Sequence, residues 1–431
     1  MTRFAMRLSA PSPVSPDDAA TSFFWLTDER SSFTGGLGPN AAALGSVRPL
    51  NIDFVRLAVT AFAADRTVPR VRGGSNWNQR TLEIEVPVST PRVWRSAASE
   101  LAEVLGFLSG DAWTLSFVKD EPTNDAPQLP ESDEPPSRVV LVSGGADSAI
   151  GALYSRSLLA DDERHVLVSH FSHTILAPIQ RRVAEEVERL VAGPGQAHVA
   201  IHLARRTTRI DGSKWPTEPS SRSRSLLFLA LGLAVASIHE VPLWIPENGF
   251  ASINPPLGSE RLGSLSTRTT HPTFLLGLSA ALSKVGAHGA IENPFASSTK
   301  GEMFQMAASL VGADAAAAFL SSTHSCGLTG QRAFGVSSEI PCGVCFGCVL
   351  RRASFQASGL HDATTYISPG GNTDLQRWLA ENSVEQPIRN LLKRGLGARD
   401  LATLGLPTGY PIRDALDLCQ RGLAELGSLY P

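Results

Sequence analysis

Ser143, Gly144, Gly145, Ala146, Asp147 and Ser148 form the stretch of this chain with the clearest chemical content. They follow the apolar, β-branched run 139–142, which reads as a buried parallel strand. They precede a helical pattern with apolar residues at Ile150, Leu153, Leu158 and Leu159. A strand that turns through two glycines into a helix presents free backbone N–H groups and the positive end of the helix dipole, where phosphate binds. Gly144 and Gly145 let the backbone approach closely, and Ser143 and Ser148 add hydroxyl donors. Asp147 would repel a bare phosphate, so its carboxylate points to an intervening Mg²⁺. The Gly-Lys-Ser/Thr ending of the Walker loop is absent.

Sulfur makes the second constellation. Cys326, Cys342, Cys345 and Cys348 are spaced C-x15-C-x2-C-x2-C. Four thiolates at that spacing fit a tetrahedral Zn²⁺ with no open coordination position, hence a structural metal worth on the order of 10 kcal/mol in small domains. An iron–sulfur cluster is the rival reading. His324 reads as a neighbour of the ligands, and Cys419 as a buried or incidental thiol.

Ser-Gly-Gly-X-Asp-Ser after a strand resembles the pyrophosphate loop of the N-type ATP pyrophosphatases. These include GMP synthetase, asparagine synthetase, tRNA-modifying adenylating enzymes and the 7-cyano-7-deazaguanine synthases (QueC). A chance glycine-rich turn is the alternative. The cysteine pattern, with Ser-Cys ahead of Cys-Gly-X-Cys-X-X-Cys and then Arg351-Arg352, is similar to the zinc knuckle of the cyanodeazaguanine synthases. The two motifs come in that family's order, so the resemblance spans residues 137–360.

The resemblance implies an α/β fold: a Rossmann-like parallel sheet of the adenine nucleotide alpha hydrolase-like (HUP) type carrying a zinc knuckle. It implies ATP, Mg²⁺ and Zn²⁺ as cofactors. Catalytic work would fall to Asp147, Ser148, Arg224 and Lys300. ATP would meet Ser143, Gly144, Gly145, Asp147, Ser148, Arg224 and Lys300, with Ser169, His170 and Phe171 at the end of the second strand against adenine. Arg224, with Arg222, opens an apolar helical run at 226–238, where two cations at a helix N-terminus call for an anionic partner. Ser225 stands where the family has asparagine, and a surface salt bridge is the alternative for these arginines. Lys300 follows a loop and precedes a Glu-containing helix as in the family; a solvated surface lysine is the alternative. The loop-like stretch 246–274 falls where the family reads its substrate, which makes Glu247, Asn248, Arg268, Thr270 and His271 candidates. The family's Asp-X-Ser-Gly-Tyr-Pro-Asp segment is missing there.

The implied reaction is adenylation of 7-carboxy-7-deazaguanine with release of pyrophosphate, followed by attack of an amine. The additional residues 1–135 and 361–431 resemble the layout of QueC-like proteins of anti-phage systems (Qat, type IV CBASS). There the acceptor is thought to be the N-terminal amine of a partner protein. Nitrile synthesis from ammonia, sulfur transfer to tRNA and a nucleotide-binding sensor without turnover remain open.

The elements that must position these groups are readable in outline. Residues 164–171 and 197–203 read as further parallel strands with a helix at 180–191 between them. Strand–helix alternation argues for a doubly wound sheet whose ligands lie beyond the strands' carboxyl ends. The expected organisation is an N-terminal α/β domain with a linker over 1–135, a core over 136–323, the knuckle over 324–360 and a helical extension over 361–431. In the first part, 81–88 and 113–117 read as strands and 93–108 as one amphipathic helix. Trp77, Arg80, Trp94 and Trp113 read as core and edge aromatics or as a recognition face. Residues 119–137, rich in Pro, Asp and Glu, read as an exposed linker.

With 38 basic and 41 acidic residues the net charge is −3, which argues against general affinity for nucleic acid or anionic membranes. There is no signal-peptide core or membrane-length apolar run, so a cytoplasmic protein is expected, with a homodimer an open possibility.

Overall fold

In the computed structural model, residues 2–36, 46–70, 79–120, 135–172, 176–220, 222–255, 268–328 and 330–430 are described. Trp77, His173, positions 256–267 of the expected recognition loop and positions 121–134 of the expected linker lie outside them.

Among the described residues two sheets form. The first is wholly parallel, in the order β2-β1-β4-β5, from β1 (Thr2–Arg7), β2 (Ser22–Phe24), β4 (Thr81–Val88) and β5 (Ala112–Lys119). The second runs β10-β9-β6-β7-β8-β3. It comprises β6 (Arg138–Leu141), β7 (Arg164–Phe171), β8 (Gly195–Arg205), β9 (Leu243–Trp244), β10 (Ile291–Glu292) and, antiparallel at the edge of β8, β3 (Phe33–Gly35). Numbered from β6, its five parallel strands follow the order 3-2-1-4-5, which reverses between β6 and β9. Ligands of open parallel sheets lie outside the strand ends at such a reversal.

The apolar run opening at Arg224 forms the helix Arg224–Ala236, and its leucines 226, 227, 229, 231 and 233 are all buried. Each such side chain contributes about 1.5–3 kcal/mol when fully buried. This helix packs against Pro49–Thr67, itself buried on nearly every face. One hydrophobic core therefore runs from the first sheet, through these two helices, to the faces of β6, β7 and β8. The segment before residue 135 contributes to both sheets.

The region 93–108, expected as one helix, is two: Pro91–Ser96 and Ala98–Ser109, broken at Ala97 (φ −111°, ψ 10°). Trp94 and Trp113 form no recognition face. Both are buried, with their indole N–H groups donating to Asp53 (3.0 Å) and Ser109 (2.8 Å). Arg80 is buried in an ion cluster with Asp65 and Asp111. Leu158 is not core; it ends its helix 50 % exposed. Beyond residue 360 the chain is helical, ending in Ile412–Gly427. No helix among the described residues is long and apolar enough to cross a membrane.

Candidate functional site

The loop after β6 turns at Gly144, whose φ of +90° lies in the region L side chains rarely adopt. The helix Ala146–Ser157 follows, with Gly145 at its N-cap and no side chain capping it, so its first N–H groups have no intrahelical partner. Ser148 braces the turn. Its hydroxyl donates to Gly145 O (2.9 Å) and accepts from Ser143 N (3.1 Å). Gly151 lets this helix press on the loop after β9, because a Cβ there would lie 2.1 Å from Pro246 Cγ.

That contact sets Asp147 against the residues following β9. Its carboxylate accepts from Asn248 Nδ2 (2.7 Å) and Asn248 N (3.2 Å), and it pairs with the ammonium of Lys300. Both members of the pair are buried. Burial alone would raise the Asp147 pKa; the Lys300 charge and the hydrogen bonds outweigh it and hold the group at about 2. Asn248 is oriented by its second task, because its Oδ1 caps the short helix Gly249–Ile253 through Ala251 N (2.8 Å). Its Nδ2 also reaches Glu247 Oε1 (3.1 Å) and so bridges two carboxylates. Asn293, which the sequence did not single out, ties the loops after β9 and β10 by donating to Glu247 O (2.8 Å). Lys300 opens the helix Lys300–Val311, fixed by a capping box between Thr299 and Glu302.

Asp147, Glu247 and Lys300 face a cavity of about 520 Å³, within the range of small-molecule sites. Of the residues expected here, Ser143, Gly145, Asp147, Ser148, His170, Arg224, Glu247, Thr270 and Lys300 line it, and Cys326 of the knuckle joins them. Val168, Phe228, Leu231 and Ile245 supply an apolar wall. His170 Nδ1, Arg224 Nε, Ser225 Oγ and Ser325 Oγ are buried lining atoms with no partner among the described residues. Unsatisfied polar groups converging on one cavity are what a polar ligand would complete. Burial, with the Arg224 charge adding to it, lowers the His170 pKa to about 4, so this imidazole is neutral near pH 7.

Other expected groups do not face the cavity. Gly144 supports the turn from behind, against Ile179. Ser169 Oγ donates to Val142 O (2.8 Å) and pairs with His198, which makes it a brace between strands. Phe171 stacks on His202 at 5.1 Å. Asn248 has both ends of its amide engaged, by Asp147 and Glu247 at Nδ2 and by Ala251 N at Oδ1. Arg268 lies over the Phe107 ring (4.4 Å) and donates to Phe107 O (3.2 Å), with no carboxylate in its fork among the described residues. His271 caps the helix Pro272–Val285 and packs on the same ring. The anion at the start of Arg224–Ala236 is Asp65, which accepts from Arg222 N (2.7 Å), Ser223 N (2.9 Å) and Ser223 Oγ (2.8 Å). Arg222, which does line the cavity, is buried and donates to Ser109 O rather than forming a surface salt bridge.

The four knuckle cysteines are free thiols whose sulfurs lie within 4.8 Å of one another. Cys326–Cys345 and Cys342–Cys348 are 4.0 and 3.8 Å apart, close to the roughly 3.8 Å edge of a tetrahedron with Zn–S bonds of about 2.3 Å. The set can therefore hold one zinc ion. The knuckle is joined to the loop, since His324 N donates to Gly144 O (2.9 Å). Arg351 secures this strap by donating to Thr323 O (2.7 Å) and Leu320 O (2.6 Å). Cys419 is buried within the C-terminal helices, apart from the knuckle. Comparison with family models, curated proteins and solved structures finds no match to this chain.

Proposed function

We propose that this chain is an ATP-dependent adenylating ligase. It activates the carboxylate of 7-carboxy-7-deazaguanine and passes the acyl group to an amine, the N-terminus of a partner protein, in cytoplasmic anti-phage defence. The observation that carries this reading is the Asp147–Lys300 pair, set at an uncapped helix N-terminus where the sheet order reverses and facing the cavity. The strand order 3-2-1-4-5, with its reversal beside the loop, is compatible with a Rossmann-like core of the adenine nucleotide alpha hydrolase-like type and supports the reading further.

In this reading the triphosphate lies along the backbone of residues 143–148, between Lys300 and Arg224. The substrate carboxylate oxygen attacks the α-phosphorus. A carboxyl O–P bond forms as the bond from that phosphorus to the bridging oxygen breaks, and pyrophosphate leaves with the electron pair. Lys300 and Arg224 stabilise the charge that develops on the leaving group. Asp147 and Glu247 offer the hard oxygen ligands that Mg²⁺ takes, and the ion when bound would neutralise further phosphate charge. The amine nitrogen then attacks the acyl carbon, AMP departs, and the amine proton passes to solvent. The apolar wall at Val168, Phe228 and Ile245 suits a flat base.

The test is pyrophosphate release from Mg·ATP with 7-carboxy-7-deazaguanine, wild type against Asp147→Ala, together with intact masses of proteins encoded beside this gene. Asp147-dependent release and a partner gaining one deazaguanine acyl group are expected. Release with unchanged partners, and a nitrile formed from ammonia, would replace the acceptor. ATP binding without release would leave a sensor and overturn the ligase.

A further inference from the structure

Arg66, Arg205, Arg206 and Arg209 have no role in the site described above, yet the fold brings Arg66 and Arg209 within range of the Arg205 charge and Arg66 within range of Arg224. Arg205 ends β8 at its carboxyl end, Arg206 follows it directly, Arg209 lies in the turn closed by the Thr208–Lys214 bridge, and Arg66 lies in the last turn of Pro49–Thr67. The segment 215–218 holds them to one another. Trp215 N donates to Thr207 O (2.9 Å), Pro216 O accepts from Arg205 Nη2 (3.5 Å), and Glu218 N donates to Arg66 O (2.9 Å). The guanidinium carbons of Arg209 and Arg205 lie 4.6 and 5.9 Å from the centroid of the Trp215 ring.

Among the described residues, none of these four arginines, nor Arg224, forms an ion pair. Of the two acids of the adjoining segment, Asp211 lies near Arg209 and is held by Ser213, to whose hydroxyl Arg209 also donates (3.2 Å), while Glu218 is engaged elsewhere. Asp211 accepts from Ser213 N (2.9 Å) and Ser213 Oγ (2.7 Å), and Glu218 from Ser220 N (2.9 Å) and Arg70 N (2.7 Å). The Nε atoms of Arg205, Arg206, Arg209 and Arg224 and the indole Nε1 of Trp215, a residue only 4 % exposed, are buried without a partner among the described residues. Burial and the charges of Arg66 and Arg209 lower the Arg205 pKa to about 10. In a chain of net charge −3, such a gathering of unpaired cations does not follow from composition. Partly desolvated charge of one sign is costly unless a counter-charge meets it.

We propose that this cluster is a second anion site, which takes a phosphate group, separate from the loop at Gly144 and adjoining it through Arg224. A planar carboxylate is served by one guanidinium fork, whereas cations arriving from β8, its following turn and a separate helix suit a tetrahedral group with three acceptor oxygens. The ring at the cluster, Trp215, is buried and flanked by guanidinium groups, so it offers no face for stacking a nucleic-acid base. The proposal does not depend on the ligase reaction.

The test is calorimetric titration of the full chain with inorganic pyrophosphate in magnesium-free buffer. It compares wild type, Arg205→Gln/Arg209→Gln and Lys300→Met. Wild type should bind two pyrophosphates and each variant one. A single event in wild type that the arginine changes leave untouched would overturn the proposal, as would loss of all binding in both variants, which means one continuous site. If the double variant unfolds, Arg209→Gln alone serves. Pyrophosphate should raise the melting temperature of Lys300→Met, and Arg209→Gln should lose at least half of the wild-type shift; an undiminished shift overturns the site. ATP displacing pyrophosphate from the second site of Lys300→Met identifies a nucleotide-borne phosphate, and ATP without effect identifies a free anion.

Discussion

The carboxylate of Glu425 accepts the backbone N–H of Gly301 at 3.0 Å, closing the helix that begins with Lys300 from 124 residues further along the chain. Thr299 donates its hydroxyl to the same carboxylate. One turn earlier in Ile412–Gly427, Arg421 pairs with Glu302 and donates to Ser297 O (3.0 Å). The C-terminal helix thus shapes the segment that presents the lysine. Glu425→Ala should cost about 1–3 kcal/mol by leaving a half-buried N–H unpaired, and should slow pyrophosphate release. Glu425→Gln keeps an acceptor oxygen and should restore most of both. Urea unfolding and the release assay check this; an alanine variant as stable and fast as wild type refutes it.

Removing one partner of the Asp147–Lys300 pair strands a buried charge. Asp147→Ala and Lys300→Met should each cost about 3–5 kcal/mol, and the double variant less than their sum. Because the folded-state pKa of Asp147 lies near 2, below the ordinary 3.8, its contribution is complete above 3.8 and is lost as pH falls through about 2. Acid unfolding of wild type and Asp147→Asn, compared over that window, should show a shallower loss in the variant. Parallel curves would deny the pair its stabilising role.

His165, His170 and His271, all buried, and the half-buried His198 set a second pH window. His165, His170, His198 and His271 are each lowered to about 4 from 6.5, with burial the main cause. They remain neutral in the folded chain while the unfolded chain protonates. The stability they support is therefore complete above 6.5 and lost as pH falls through about 4, at about 1.4 kcal/mol per pH unit for each proton. Urea midpoints measured across this range should fall steeply, and His198→Gln should make the fall shallower. A flat profile between these values would contradict the assignment.

Purified protein should carry one zinc ion per chain by elemental analysis. Cys345→Ser, or a strong chelator, should remove it. Since Cys326 and Ser325 line the cavity and His324 N holds Gly144 O, metal loss should also weaken ATP binding several-fold. A metal-free variant that folds normally and binds ATP like wild type would make the knuckle independent of the loop.

Signals confined to a few neighbouring residues were readable beforehand. The β-branched run before Gly144, the cysteine spacing and the unbroken apolar stretch after Arg224 each specify local geometry without help from elsewhere. What depended on distant partners was not. Asp65 serves the N-terminus of a helix more than 150 residues away, which no spacing announces. Asn248 and His271 were expected to meet a ligand, but both cap helices, and Arg268 found an aromatic ring from another element. Arg80, Trp94 and Trp113 read as core and edge groups or as a recognition face, and only the distant partners Asp53, Asp65, Asp111 and Ser109 decide for the core.

The antiparallel pairing of β3 with β8 carries a consequence for biosynthesis. Thr34 meets Ala204 across 170 residues, so at roughly 5–20 residues per second the early strand waits roughly 10–30 s for its partner to leave the ribosome. A truncation that begins after β3 would not release a self-sufficient core. It would bare one side of β8, an open template to which a second chain could add by strand pairing, and the outcome to expect is aggregation.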